Sequence, residues 1–559
     1  MKILFTLLSI FISFQIFSQN IVPIVDNDLQ GGQSYNWTNE NIYLLDGLVF
    51  LEQGGVLNIE PGTVIKFTPR SDVGNPSALV ITKGSKIYAE GTLEEPIIFT
   101  AEADDVNDPS DLGPTDNALW GGIVILGNGI TQKNGNPTVN IEGIATSEPR
   151  GAYGGTDNND DSGVLKYVSI RHGGRQIVSG SELNGLSLGA VGSGTTLEYV
   201  EVYANSDDGI EFFGGAPNLK HAVVAFTEDD SFDWDEVYSG KGQFWFSIQR
   251  ADIADTGGEM DGTTPDDLTP YSNPTVYNWT HIGSGPGGAA SNPVGLLFRA
   301  GTAGTVANSI ITEMKNKAIE VQDKDAGTND AHQKLINGEL KIASNLFWAN
   351  GSNTTLDATS TGIIRVTSGQ PNQDDPDASD LIAHLIANNS TIADPVIKHI
   401  SRDQDNNLDP RPSSTGAAYT NPVAAYPQGD LFFQNVNYAG AFSASSEEFW
   451  IGGWTTLERN GHLADPTVAT EEPASPSIAD QFNIYPNPVT TGGSFYIDSQ
   501  VKLPYTIAIY LANGTQLLRT QGNVSGLTEV NVKGLVTGTY YVKIVTAENT
   551  FLTKKLIIQ

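Results

Sequence analysis

The chain has 559 residues, with 30 Lys and Arg against 65 Asp and Glu, a formal charge of −35. A chain this acidic lacks the basic footprint that nucleic acid or an anionic membrane surface requires, which excludes both as primary partners. With 60 Gly, no Cys, 39% hydrophobic and 17% charged residues, it reads as a turn-rich globular β protein without disulfides, thiol nucleophiles or Cys-ligated metal.

At the start, Lys2 precedes an apolar run from Ile3 to Phe17 and the small residue Ser18. That pattern predicts a secretory signal peptide over residues 1–18. The run is shorter than the about 20 residues a membrane-spanning helix needs. No later run approaches that length, so the mature chain is expected to carry no transmembrane segment.

From residue 19 to 463 the chain reads as short Val- and Ile-rich strands delimited by Gly or Pro. Residues 20–60 would start the array, which continues through Val56–Ile59, Val64–Phe67, Ala78–Ile81, Ile97–Thr100 and Ile123–Leu126. Self-similarity then becomes explicit. Leu197–Val202 aligns with Leu219–Val224 at an offset of 22 residues, and in the same register Asp207-Asp208 meets Asp229-Asp230, Glu211 meets Asp233 and Phe212 meets Trp234. Leu165–Ile170 fits one unit earlier if the Gly- and Ser-rich stretch Ser179–Gly194 is an inserted loop. Weaker copies follow at Phe244–Ile248, Val276–Ile282, Val306–Ile311, Leu340–Phe347 and Leu381–Ile386. One strand set per coil with insertions confined to turns is the pattern of a stacked solenoid. The body therefore resembles right-handed parallel β-helix surface proteins. A β-propeller, with blades of about 40–50 residues, is disfavoured by the period. The aromatic-rich segment Leu431–Leu463 would plug the far end, where an open coil exposes an unpaired edge.

Stacking places equivalent side chains about 4.8 Å apart, so the register puts carboxylate on carboxylate. Each such contact costs about 3.5 kcal/mol at an effective dielectric of 20, and segment 228–236 has six acids and no Lys or Arg. Protonation, a chain cation or a bound metal must relieve the repulsion. Arg175 falls over Asp207 and Asp229 one coil earlier and is the nearest chain cation. Oxygen-only ligands without His or Cys select Ca²⁺. Asp207, Asp208, Asp229, Asp230, Asp233 and Asp235 are accordingly the candidate ligands, with solvated turn acids of raised pKa as the alternative. Two loops, Asp157–Gly163 and Asp403–Asp409, also space oxygen side chains as calcium loops do, although hydrogen-bonded Asx turns explain them equally.

Two functional classes remain open. In the first, Asp-Asp-Gly at a coil corner resembles the paired carboxylates of polygalacturonase-type hydrolases, which implies Asp207, Asp208, Asp229 and Asp230 as acid and base. A Ca²⁺-dependent lyase acting on acidic polysaccharide would instead need a basic residue such as Arg171, Arg175 or Arg250. The hydrolase Gly-His-Gly and Arg-Ile-Lys elements are missing, which weighs against catalysis. In the second, aromatic residues beside the acids, Trp234, Trp245 and Trp279 foremost, would hold sugar rings of an extracellular glycan; a passive adhesin needs no site at all.

Residues 464–480 are a Pro-rich linker, and 481–559 differ in kind. Three acids against six bases give this tail +3, leaving −38 for the remainder. Alternating strands separated by Gly turns predict a small Ig-like β-sandwich. Tyr485-Pro486-Asn487-Pro488 at its entry, Gly538-Thr539-Tyr540 before a late strand and Lys554-Lys555 in the last strand resemble the C-terminal sorting domain of type IX secretion cargo in Bacteroidetes. The resemblance implies handling by the type IX machinery and delivery to the cell surface or beyond. Together these readings predict an all-β protein, a right-handed parallel β-helix followed by a sandwich, that binds glycan or a surface partner through acidic Ca²⁺ sites.

Overall fold

A computed structural model describes residues 19–70, 75–175, 182–290, 294–324, 329–350, 356, 364–367, 378–445, 449–464, 482–499, 505–511, 516–522, 526–546 and 551–559. The expected signal peptide and most of the expected linker lie outside them. The chain divides into two compact units, residues 1–467 and 468–559.

The first unit is a parallel β-helix. The coil strands pair in parallel with their equivalents one coil later, while Val139–Asn140 with Ala152–Tyr153 and Ile397–His399 with Asp409–Pro412 form separate antiparallel pairs. Among the described residues one sheet has ten strands, in spatial order from Leu48–Leu51 through Ala78–Ile81, Ile123–Leu126, Leu186–Gly189, Ile210–Phe213, Phe232–Asp235, Gly258–Asp261, Val294–Arg299 and Lys317–Gln322 to Ile364–Thr367. The second is longer and bent. Its strands Gly163–Arg171, Thr196–Tyr203, Asn218–Ala225, Lys241–Ile248 and Thr275–Ile282 stack in register. Each turns a corner at a residue with left-handed backbone: Tyr167, Tyr199, His221, Phe244 and Asn278, with φ of 48°, 56°, 57°, 58° and 60°. In neighbouring coils the same corner separates two short strands, as in Val56–Ile59 and Val64–Phe67.

The 22-residue register is real. Leu197 pairs with Leu219, Val200 with Ala222, Ile210 with Phe232, Glu211 with Asp233 and Phe212 with Trp234. Leu165 pairs with Leu197, as the longer offset required. The stretch Ser179–Gly194 is more than a loop, however: Leu186–Gly189 is a strand of the ten-stranded sheet. Alternation sends Ile210, Phe212, Phe232 and Trp234 inward, where they join Trp245, Trp279 and Tyr238 in a continuous interior. Phe232 stacks on Trp245 with ring centroids 4.4 Å apart, and Phe212 on Tyr238 at the same distance.

Two expectations fail. Leu381–Ile386 is not a strand but part of helix Ser379–Ala387; Leu381 and Leu385, one helical turn apart, are its buried residues and fill the core together. The segment 431–463 does not plug the far end. It runs as a strap along the outside of the bent sheet, where Phe442, Phe449, Ile451, Trp454, Leu457 and Leu463 cover Tyr203, Val223, Ala225, Phe246, Ile248 and Ile282. The cause is the second face of that sheet: its outward column Tyr203, Ala225, Ile248 and Ile282 is apolar in four consecutive coils and Val223 and Phe246 flank it, so it needs a cover.

The second unit pairs a three-stranded with a four-stranded antiparallel sheet around Phe482, Phe495, Ile507, Val542 and Leu556. Its entry motif is tied to its last strand. Asn487 donates to the Lys555 carbonyl at 2.7 Å and accepts from the Ile557 amide at 2.9 Å, and Lys554 donates to the Phe482 carbonyl at 2.6 Å. The Tyr540 hydroxyl donates to the Val536 carbonyl, while Tyr485 is exposed.

Candidate metal centre on the ten-stranded sheet

The outward positions of the ten-stranded sheet change character along the stack. In the early coils they are apolar, Phe50, Val80, Val124 and Leu126, and the insertion between Leu126 and Gly163 covers them with Ile141, Ile144 and Tyr153. From Glu211 onward they turn acidic. Glu211, Asp233 and Glu259 stand in one column, each in register with the next.

The turn before each strand adds a second column. Asp208 accepts the Asp230 amide at 3.0 Å, and Asp230 accepts the Thr256 amide at 2.6 Å. One oxygen of each carboxylate thus stitches its turn to the next coil. Asp207 and Asp229 stand beside them. The result is three overlapping groups whose ligand atoms lie within 4.8 Å of one another: Asp207, Asp208 and Asp229; Asp208, Glu211 and Asp233; Asp230, Asp233 and Glu259.

Among the described residues none of Asp207, Asp208, Glu211, Asp229, Asp230 and Asp233 forms an ion pair. Arg299 is engaged at the edge by Glu259 and by Asp261 at 2.7 Å, and Lys133 pairs with Glu236 at 3.0 Å. Arg175 does not cap the column: it forms no ion pair with Asp207 or Asp229 among the described residues, and its backbone amide donates to the Trp120 carbonyl. Burial, reinforced by Asp229, pushes the Asp207 carboxyl up to about 8. Burial and Asp255 push Asp229 up to about 6. Asp208, Glu211, Asp230 and Asp233 are held well above the ordinary carboxylate range, first by burial and then by neighbouring acids, Asp207 for Asp208, Asp233 for Glu211, Asp229 for Asp230 and Asp230 for Asp233. Such a set gains free energy by binding either protons or a cation. Asp233 Oδ1 is buried without a hydrogen-bond partner, and the donors are all oxygen, so the ledge fits a hard metal ion.

Five of the six expected ligands come together here. Asp235 does not; its Oδ1 accepts the Glu236 amide at 2.5 Å, and it belongs to none of the three groups. Glu211 and Glu259 take part instead. Glu259 was legible only by aligning Phe232-Asp233-Trp234-Asp235 with Gly258-Glu259-Met260-Asp261 at an offset of 26, which the 22-residue period hid.

The sugar-platform reading of Trp234, Trp245 and Trp279 fails, because all three are at most 1% exposed inside the solenoid. Of the candidate lyase bases, Arg171 is buried beside Ser169 on the other sheet, and Arg250 is tied to Glu228 and Asp252. The two calcium-like loops are Asx turns. Asp157 accepts the Asn159 amide and Asp161 that of Gly163, while Asp405 accepts the Asn407 amide and Asp409 pairs with Arg411 at 2.7 Å.

Fold and ledge together define an acidic parallel β-helix protein carrying a separate β-sandwich tail. Residues 31–381 match the pectate-lyase-like β-helix domain, and the chain belongs to that family. Residues 483–559 match the secretion system C-terminal sorting domain, which directs the chain through type IX secretion to the cell surface or the extracellular space. No curated protein matches the chain. No helix among the described residues is long and apolar enough to cross a membrane.

Proposed function

We propose that this is a glycan-binding protein of the cell exterior whose acidic ledge holds Ca²⁺ and, through it, the hydroxyl or carboxylate oxygens of an extracellular polysaccharide. The observation that carries the reading is the set of three overlapping carboxylate groups on the outward face of a parallel sheet, in which Glu259 alone has an ion-pair partner, Arg299, among the described residues. Asp207, Asp208, Glu211, Asp229, Asp230, Asp233 and Glu259 would be the ligands. Ca²⁺ accepts six to eight oxygens, more than one group supplies, so ligand oxygens from the glycan or water complete the shell.

The second reading is a Ca²⁺-dependent lyase or a hydrolase on acidic polysaccharide. The adjacent pairs Asp207-Asp208 and Asp229-Asp230, together with the family, favour it. The experiment is a panel of acidic polysaccharides with and without chelator, following binding by calorimetry and turnover by reducing ends and unsaturated products. Ca²⁺-dependent binding without products, lost in Asp233→Asn, is the expected result. Turnover lost in Asp229→Asn establishes the enzyme, and binding indifferent to chelator overturns the metal.

A further inference from the structure

The corner of the bent sheet carries a second column, unrelated to the acids. Tyr167, Tyr199, His221 and Phe244 occupy the left-handed corner position of four consecutive coils. Left-handed backbone at a non-Gly residue is costly, and here it recurs coil after coil with a ring each time. The rings stack: Tyr167 on Tyr199 at 4.4 Å, Tyr199 on His221 at 4.3 Å and His221 on Phe244 at 5.2 Å between centroids. In the next two coils the position is Asn278 and Asn308, whose amides donate to the carbonyls of Tyr438 in the strap and of Ala424 just before it. The strap is therefore pinned at the Asn corners and crosses the aromatic ones, leaving a groove of about 390 Å³ between the stack and Gln434, Trp450 and their neighbours.

We propose that this groove is a binding site for a neutral saccharide, distinct from the acidic ledge and independent of metal. Its volume falls within the about 300–1,000 Å³ of small-molecule sites. Because the rings cover one another's faces, the stack turns its edges to the groove, and aromatic edges carry the positive end of the ring quadrupole. Edges of this kind receive oxygen atoms. His221, which lines the groove, adds polar capacity: its buried Nδ1 lies 3.6 Å from Glu198, beyond hydrogen-bond distance, and has no hydrogen-bond partner among the described residues. Gln434 is held by its backbone, with amide and carbonyl both bonded to the Gln243 side chain at 2.8 Å, so its own side chain is not spent on fixing the strap. Charge selects the neutral ligand. Among the described residues no Lys or Arg lines the groove to draw an anion, and Glu198 beside His221 is paired with Lys166 at 3.3 Å.

The test uses the full chain in excess EDTA with cellobiose, xylobiose, maltose and mannobiose as probes and trigalacturonate as the anionic control, read by saturation-transfer NMR and tryptophan fluorescence. At least one neutral disaccharide binds, and binding weakens about tenfold, the worth of one good hydrogen bond, in each of His221→Ala and Gln434→Ala. Gln434→Ala trims only a rim side chain and guards against a folding artefact in His221→Ala. Asp233→Asn leaves the binding unchanged. Failure of every neutral probe, preference for trigalacturonate, or wild-type affinity in both variants overturns the site. Binding that vanishes in EDTA and in Asp233→Asn also overturns it, while assigning the saccharide to the ledge.

Discussion

Asp208 and Asp230 each divide one carboxylate between two tasks, one oxygen fixing the next coil's amide and the other facing a crowd of acids. Removing charge and removing the acceptor therefore have opposite effects. Asp230→Asn keeps an oxygen for the Thr256 amide and relieves repulsion, so in chelator at pH 8 it should melt above the wild type, by about 1–3 kcal/mol of stability. Asp230→Ala orphans the amide and should melt below Asp230→Asn. Both should lose the Ca²⁺-induced rise in Tm. The pH dependence has a defined sign. Folded Asp207 and Asp229 titrate near 8 and 6, above the about 3.9 of an unfolded Asp. The folded state thus binds more protons between about pH 4 and 8, and stability must fall as pH rises through that window. Melting in EDTA should decline from pH 5 to pH 8, and saturating Ca²⁺ should flatten the decline; a flat EDTA profile contradicts the shifted carboxyls. Inside the solenoid, Trp245→Ala should cost about 3–5 kcal/mol in denaturant unfolding, since the indole is fully buried and its N–H donates to the Leu219 carbonyl.

The strap is the element whose attachment is most concentrated. Buried Glu201 accepts the Thr456 amide at 2.7 Å, the Thr456 hydroxyl at 2.8 Å and the Ser169 hydroxyl at 2.6 Å. Glu201→Ala leaves several buried donors without an acceptor, at about 1–3 kcal/mol each. Hydrogen exchange should accelerate over residues 449–464 while the interior strands stay protected. This element was also the least legible in the sequence. Strands such as Val64–Phe67 and Ile123–Leu126 announce themselves because Val and Ile runs end at Gly or Pro, and the stacking of Asp208 on Asp230 follows from a repeat of 22 residues. The burial of Trp234 and Trp245 was not separable from exposure, since a solenoid strand puts alternate residues on opposite faces and both faces here carry rings. The strap and the aromatic corner depend on which outward column is apolar, and that emerges only once the coils carrying Tyr203, Ala225, Ile248 and Ile282 are superposed.

At the scale of the whole molecule, charge and address are segregated. The tail that carries the sorting signals is net basic and the body strongly acidic, and sorting rests on residues 483–559. Fusion of residues 483–559 to a folded reporter should bring the reporter outside the cell in a host with type IX secretion, whereas the chain without them should be retained; cell fractionation reads both. Coil stacking needs only the preceding coil as a template, so the interior can assemble in the order of synthesis. The flank does not follow that order, because its lid is encoded about 220 to 260 residues after Tyr203 and Val223, at Phe442 to Leu463. A nascent or prematurely ended product therefore carries a finished interior and a bare oily side. Only a polypeptide extended through Leu463 can bury that side against itself.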